Sequence, residues 1–203
     1  PGCSPPEGAE GSARLRAPRL ALPGQADRRA AEAEALAQGV GDVALVAEVD
    51  RVGLVGHDDE GRSYHQNDLY VMNRDGKGRR CLTEDFDFAV HSPRFSRDGD
   101  GIFFQYDEEG NTKIGLLTID SGKVTTVAKN VGGTTLGRPY ASGSYSGSHL
   151  PLAYTGCSPH RPADVFVALP AKGKKVSSRQ LTQLNEDLLG HKQLGKVESF
   201  WYE

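Results

Sequence analysis

Hydrolytic serine chemistry needs a nucleophile, a base and an acid brought together. When the serine sits on a strand-to-helix elbow it is flanked as G-x-S-x-G, because that strained turn accepts only small neighbours. No such pentapeptide occurs in this chain. The nearest text, Gly143-Ser144-Tyr145-Ser146-Gly147, places Tyr where the nucleophile would stand and reads as a flexible turn. Six histidines, His57, His65, His91, His149, His160 and His191, are scattered without an H-x-x-x-H pair, so they suggest no zinc helix. Asp98-Gly99-Asp100-Gly101 faintly echoes a calcium loop. It lacks the third acidic position and the closing Glu, so it reads as a hairpin turn with Gly at positive φ. His57-Asp58-Asp59-Glu60 reads as a solvated loop. Cys3, Cys81 and Cys157 are odd in number, widely spaced and free of any C-x-x-C, which points to isolated thiols. Gly132-Gly133 suits a sharp connection, and nothing places it at a helix N-terminus where a phosphate would sit. Arg138 and Arg161 each precede a proline, hence extended backbone, and would either face a central channel or pair with acids between structural units. No catalytic, metal-binding or cofactor-binding residue is assigned, no substrate-binding residue can be named, and no cofactor is expected.

The 203 residues carry 24 Lys+Arg against 27 Asp+Glu, a formal charge of −3. That near-balance argues against a nucleic-acid arm or a polybasic membrane anchor. No run approaches the ~20 apolar residues of a membrane span. Gly is in excess at 25 residues, about 12% against a usual ~7%. The chain starts at Pro1 and its one Met is Met72, so it is expected to be a processed product or a fragment. Compartment is left open.

Two textures divide the chain. Residues 1–42 are rich in Ala, Arg, Glu, Pro and Gly and hold no aromatic residue. A helix over residues 26–38 would be capped by Asp27 and stopped by Gly39, but with Leu36 almost its only large apolar residue it has little face to bury. This segment is expected to be poorly ordered or weakly helical. From Val43 onward short apolar runs alternate with Asp/Gly/Asn turns. Residues 92–129 contain four such runs, Pro93-Arg94-Phe95-Ser96, then 101–106, 112–119 and 123–128, which predict a four-stranded antiparallel meander. The last two strands recur. Asn67-Asp68-Leu69-Tyr70-Val71-Met72 with Arg79-Arg80-Cys81-Leu82-Thr83 matches them, Asp75 lying 45 residues before Asp120. Ala163-Asp164-Val165-Phe166-Val167-Ala168 with Arg179-Gln180-Leu181-Thr182 matches again, Val165 lying 51 after Ile114. Four strands at a period of about 40–50 residues is the signature of a β-propeller. The expected fold is therefore all-β, an incomplete propeller over residues 43–196. It holds about half a blade before His91, one blade over 92–130 and a longer one over 137–185. Rings close with about 4–8 blades, so this is an open arc. A helical turn is expected at 185–189. Residues 197–203 would begin a strand leading into a domain that is missing.

At these residues the chain resembles the prolyl oligopeptidase family of serine peptidases, in its bacterial acylaminoacyl- and dipeptidyl-peptidase-like branch. The resemblance covers about residues 54–203 and rests on several phrases. They include Tyr64-His65-Gln66-Asn67-Asp68-Leu69-Tyr70-Val71-Met72, Ser92-Pro93-Arg94-Phe95-Ser96-Arg97-Asp98-Gly99 and Gly137-Arg138-Pro139-Tyr140. The blade phrase at 92–99 is shared with TolB-like propellers. Leu184-Asn185-Glu186-Asp187-Leu188-Leu189 and Val197-Glu198-Ser199-Phe200-Trp201-Tyr202 are more specific, and in the family lie just before the α/β-hydrolase domain. The resemblance implies a serine peptidase whose propeller gates peptide access to a C-terminal hydrolase domain in cis, with a peptide as substrate. That catalytic domain is not expected within these residues, so no catalytic residue carries over and the chain alone is expected to be inactive. A non-catalytic TolB-like propeller that binds a protein partner is the alternative. Residues 1–53 do not resemble the family and look like GC-rich coding DNA read in another frame.

Overall fold

The computed structural model describes residues 44–47, 50–57, 64–133, 143–171, 175–198, 200 and 202. The atypical segment 1–42 with its expected helix, the acidic triplet 58–60, Arg138 and Trp201 lie outside the described residues.

Twelve strands follow one another: β1 (Ala44–Ala47), β2 (Arg51–Gly56), β3 (Asp68–Asn73), β4 (Arg80–Cys81), β5 (Val90–Phe95), β6 (Gly101–Glu108), β7 (Asn111–Thr118), β8 (Val124–Val131), β9 (Tyr145–Ser146), β10 (Leu152–Ser158), β11 (Arg161–Pro170) and β12 (Val176–Gln180). A helical turn, α1 (Glu186–Leu189), comes last. The first four strands form one antiparallel sheet in sequence order. The remaining eight form a second sheet, held together between β8 and β10 only by the pair Val131↔Gly156. It therefore consists of two further four-stranded meanders. The architecture is three consecutive blades. The first, expected as a half-blade, has four strands, because β1 and β2 pair with each other and β2 pairs with β3 from Arg51↔Asn73 to Gly56↔Asp68.

Local chemistry explains the hairpins. β6 and β7 pair without a break from Gly101↔Thr118 to Glu108↔Asn111. The two residues between them, Glu109 and Gly110, both have positive φ, at 52° and 72°. Two left-handed residues make the tight turn whose twist matches the strands it joins.

Side-chain alternation then decides the stacking. In β2 and β3 the residues Val55, Leu69 and Val71 face the second blade, where they meet Phe95, Ile102, Phe104, Tyr106 and Leu117. Phe86 and Phe88, from the connection between β4 and β5, cover this cluster. Val52, Leu54, Tyr70 and Met72 alternate with them and form a separate buried cluster on the blade's other face. β6 is buried on both sides, since Phe103 points the opposite way and joins Ile114, Val127, Tyr145, Leu152, Tyr154 and Ala168 between the second and third blades. A strand that reads as nearly continuous apolar text is one sandwiched between two layers.

An Asp–Thr clamp closes the outer end of the first and third blades. Thr83 Oγ1 donates to Asp68 Oδ1 (2.8 Å) and accepts from the Leu69 N–H (2.9 Å). Thr182 Oγ1 donates to Asp164 Oδ1 (2.7 Å) and accepts from the Val165 N–H (2.9 Å). In the second blade Lys113 takes the place of the Asp and pairs instead with Glu108 across the β6–β7 hairpin. Thr83 is buried, so Thr83→Val keeps the shape while leaving the Leu69 N–H and the Asp68 carboxylate short of a partner. The expected loss is about 1–3 kcal/mol, checked by urea unfolding with the slope unchanged.

Candidate cleft between two blades

A cavity of about 550 Å³ lies between the second and third blades. β8 forms one wall with Thr126, Val127 and Lys129, and β10 to β12 form the other with Tyr154, Phe166, Val176 and Gln180. Arg161 and Asp164 lie on the same wall. The cavity exists because the two blades touch closely where β8 ends, at Val131 and Gly156, and diverge beyond that point. Within the third blade, Gly156 leaves room for the Phe166 ring of the neighbouring strand β11. A Cβ there would come within 2.7 Å of the Phe166 ring.

Two of the cleft's ionisable groups, Asp164 and Arg161, are already engaged. Asp164 is buried and its two oxygens accept from Thr182 Oγ1, from the Leu184 N–H (2.9 Å) and from Gln180 Nε2 (3.1 Å). Arg161 pairs with Glu186 at 2.8 Å, an acid of the segment that follows the third blade and not one between blades. Burial pushes the Cys157 thiol up from its ordinary value, so at neutral pH it is a thiol and a poor nucleophile. This wall can bind by shape and hydrogen bonding. It holds no nucleophile beside a base.

His91, Ser92 and Asp107 invite comparison with a triad. Ser92 Oγ lies 3.5 Å from His91 Nδ1, and the Asp107 carboxylate acts on the same imidazole. Burial lowers the His91 pKa and Asp107 partly offsets that. The geometry is nevertheless that of a structural bulge. A working nucleophile–base contact is about 2.6–3.2 Å, Asp107 accepts a 2.5 Å bond from Thr112 Oγ1, and Ser92 sits at φ 53° where the β5–β6 register shifts. The bulge turns the Ser92 carbonyl toward Tyr145, whose hydroxyl donates to it at 2.5 Å.

Other sequence candidates fall where their types predict. Asp98 Oδ1 accepts from Ser96 Oγ (2.5 Å) and from the Asp100 N–H (3.2 Å), while Gly99 takes φ 78°. The Ser96 bond holds the Asp98 carboxyl below its usual value. This is the expected hairpin turn. His57 and His65 stack with ring centres 4.1 Å apart, and His57 Nδ1 meets Asn67 Oδ1 at 2.9 Å. Among the described residues no three His, Cys, Asp or Glu side chains converge as a metal site. Gly143 to Gly147, read as a flexible turn, contains β9 and buries Tyr145. Alternation gives no warning of a two-residue strand. Asp164 as an organising residue was equally hidden, although its repeat with Asp68 was a usable signal.

Beyond the third blade the polypeptide is pinned at its outer end. His160 Nε2, in the β10–β11 turn, bonds the Gly195 carbonyl. Leu181, Leu184, Leu188, Phe200 and Tyr202 remain exposed. Val197, Glu198, Phe200 and Tyr202 belong to no strand. Among the described residues no helix is long and apolar enough to cross a membrane.

No family model matches the chain, and no curated protein matches it either. Solved structures do. The β-propeller domain of the trilobed protease from Pyrococcus furiosus, described as having an open velcro topology, superposes with a TM-score of 0.50 at 19% identity, over 70% of this chain and 40% of that one. Pyrococcus horikoshii acylaminoacyl peptidase superposes with a TM-score of 0.54 at 18% identity, over 74% of this chain and 21% of that one. The chain thus spans less than half the length of either. These likenesses show the fold, an arc of β-propeller blades.

Proposed function

We propose that this chain is the propeller portion of a serine-type peptidase, gating peptide access to an α/β-hydrolase domain that lies outside these 203 residues. The observation that carries the reading is the run of three consecutive four-stranded blades, matched in fold to propellers of two peptidases. The text at residues 184–189 and 197–202, similar to what precedes the hydrolase domain in that family, supports it. In this reading the chemistry is acyl transfer through a Ser-His-Asp triad supplied by the other domain. The propeller acts by size. Stacked rigid blades admit an extended peptide and exclude a folded protein, because a core packed at crystal-like density does not yield to let a domain through.

The reading predicts that the 203-residue chain alone turns over no aminoacyl or peptidyl chromogenic substrate and takes no label from a serine-reactive phosphonate. Ser92→Ala is expected to change neither result. The same chain extended by its downstream coding sequence is expected to gain turnover that a single substitution at the new serine abolishes. Turnover by the homogeneous short chain, blocked by the phosphonate, would overturn the assignment. A downstream frame encoding only further blades would favour the second reading, a TolB-like propeller that binds a protein partner, for which the cleft between the second and third blades is the supporting feature.

A further inference from the structure

We infer that residues 181–195 form a strap whose order is imposed by three side chains of the β10–β11 hairpin. The anchors are successive along that hairpin. His160 holds the Gly195 carbonyl, Arg161 holds Glu186 at 2.8 Å, and Asp164 accepts the Leu184 N–H at 2.9 Å. Gln180 Nε2 braces the start of the strap by donating to both Asp164 Oδ2 (3.1 Å) and the Thr182 carbonyl (2.7 Å).

At its start the strap also continues the β11–β12 ladder, the Leu181 N–H donating to the Val165 carbonyl at 2.7 Å. Its apolar side chains do not hold it, since Leu181, Leu184, Leu188 and Leu194 are 51%, 67%, 64% and 44% exposed. Its one helical turn is four residues long and buries none of them, far below the ~12 residues at which an isolated helix becomes even marginal. The internal bonds Leu189 N–H to Asn185 O (2.9 Å), Gly190 N–H to Glu186 O (2.8 Å) and Lys192 N–H to Leu189 O (3.0 Å) therefore persist only while the ends are fixed. The clamp in the first blade is the internal control. Asp68 and Thr83 close that blade in the same way, and the chain there runs on through the connection that carries Phe86 and Phe88 into β5. Closing the blade and fastening the strap are thus separable tasks, and in the third blade Asp164 performs both. Arg161 and Asp164 also line the cleft, so the strap is tied to the cleft's own wall. The path by which the polypeptide leaves the propeller is consequently set by this hairpin.

Amide hydrogen exchange on the full 203-residue chain tests this. In the unmodified protein the amides of Leu184, Leu189, Gly190 and Lys192 are expected to exchange about tenfold slower than in an unstructured peptide. The double variant His160→Ala/Glu186→Gln leaves the Asp164 clamp untouched. It is expected to speed those of Leu189, Gly190 and Lys192 by about tenfold while β6–β8 stays protected. Asp164→Ala is expected to free all four, whereas Asp68→Ala is expected to destabilise the fold without selectively freeing the strap. Unprotected strap amides in the unmodified chain, or continued protection in the double variant, would overturn the proposal. Should Asp164→Ala fail to fold, the double variant decides.

Discussion

Phe104→Ala is expected to cost about 3–5 kcal/mol, a large share of the ~5–15 kcal/mol that holds a typical domain together. Phe104 is fully buried in β6, at the centre of the interface between the first and second blades. The tip of its ring packs over Gly115, the residue directly opposite in β7. A Cβ at that position would stand 2.9 Å from Phe104 Cζ. Phe86 meets the ring edge-on at 5.7 Å between centres, and Tyr106 lies at 5.8 Å. Removing the ring deletes the contacts between two blades at once. The opening it leaves is walled by strands that cannot close inward without breaking their ladders. Urea unfolding followed by circular dichroism should show the midpoint falling sharply. A loss under about 1 kcal/mol would mean that the blades are not packed through this residue.

The second large effect is expected from Tyr145→Phe. The hydroxyl reaches from the third blade into the second and donates to the carbonyls of Ser92 (2.5 Å) and Phe103 (3.1 Å). Phe keeps the ring, which the Arg94 guanidinium overlies at 5.3 Å, so the change isolates the hydroxyl. Leaving those carbonyls without their donor is expected to cost about 1–3 kcal/mol. The pH profile carries a second signature. Burial raises the Tyr145 pKa well above its ordinary value of 10.0, against a smaller opposing effect of Arg94. Above about pH 10 the unfolded chain releases this proton while the folded protein retains it, so unfolding gains free energy as pH rises. The contribution is complete below pH 10 and declines above it. Tyr145→Phe should lose that alkaline dependence. Parallel alkaline profiles for the two proteins would refute the assigned role.

Some of this architecture could be read directly from residue order. Strand limits in the second blade follow from apolar alternation and from the turns at Asp98-Gly99, Glu109-Gly110 and Ser121-Gly122. Those features act between neighbours in the chain, so they survive in a linear reading. The repeat of Asp68 in Asp164, and of Thr83 in Thr182, carries the blade period for the same reason. One helical turn at residues 185–189 was likewise legible, although Asn185 makes no side-chain capping bond there.

The contacts that turn three blades into one body were not legible. Tyr145 and Ser92 are 53 positions apart, and neither has neighbours that announce the other. β9 is two residues long, too short for any period to register, and is a strand only because β10 lies beside it. β1 appears once the β2 edge is present to receive it. The Ser92 bulge and the three uses of Asp164 depend on donors brought in from distant text. Local sterics and side-chain period write blades into the sequence. Which faces meet, which hydroxyl crosses between blades and where the chain is tied down are long-range choices, made when burial and hydrogen-bond satisfaction are settled together in the folded arc.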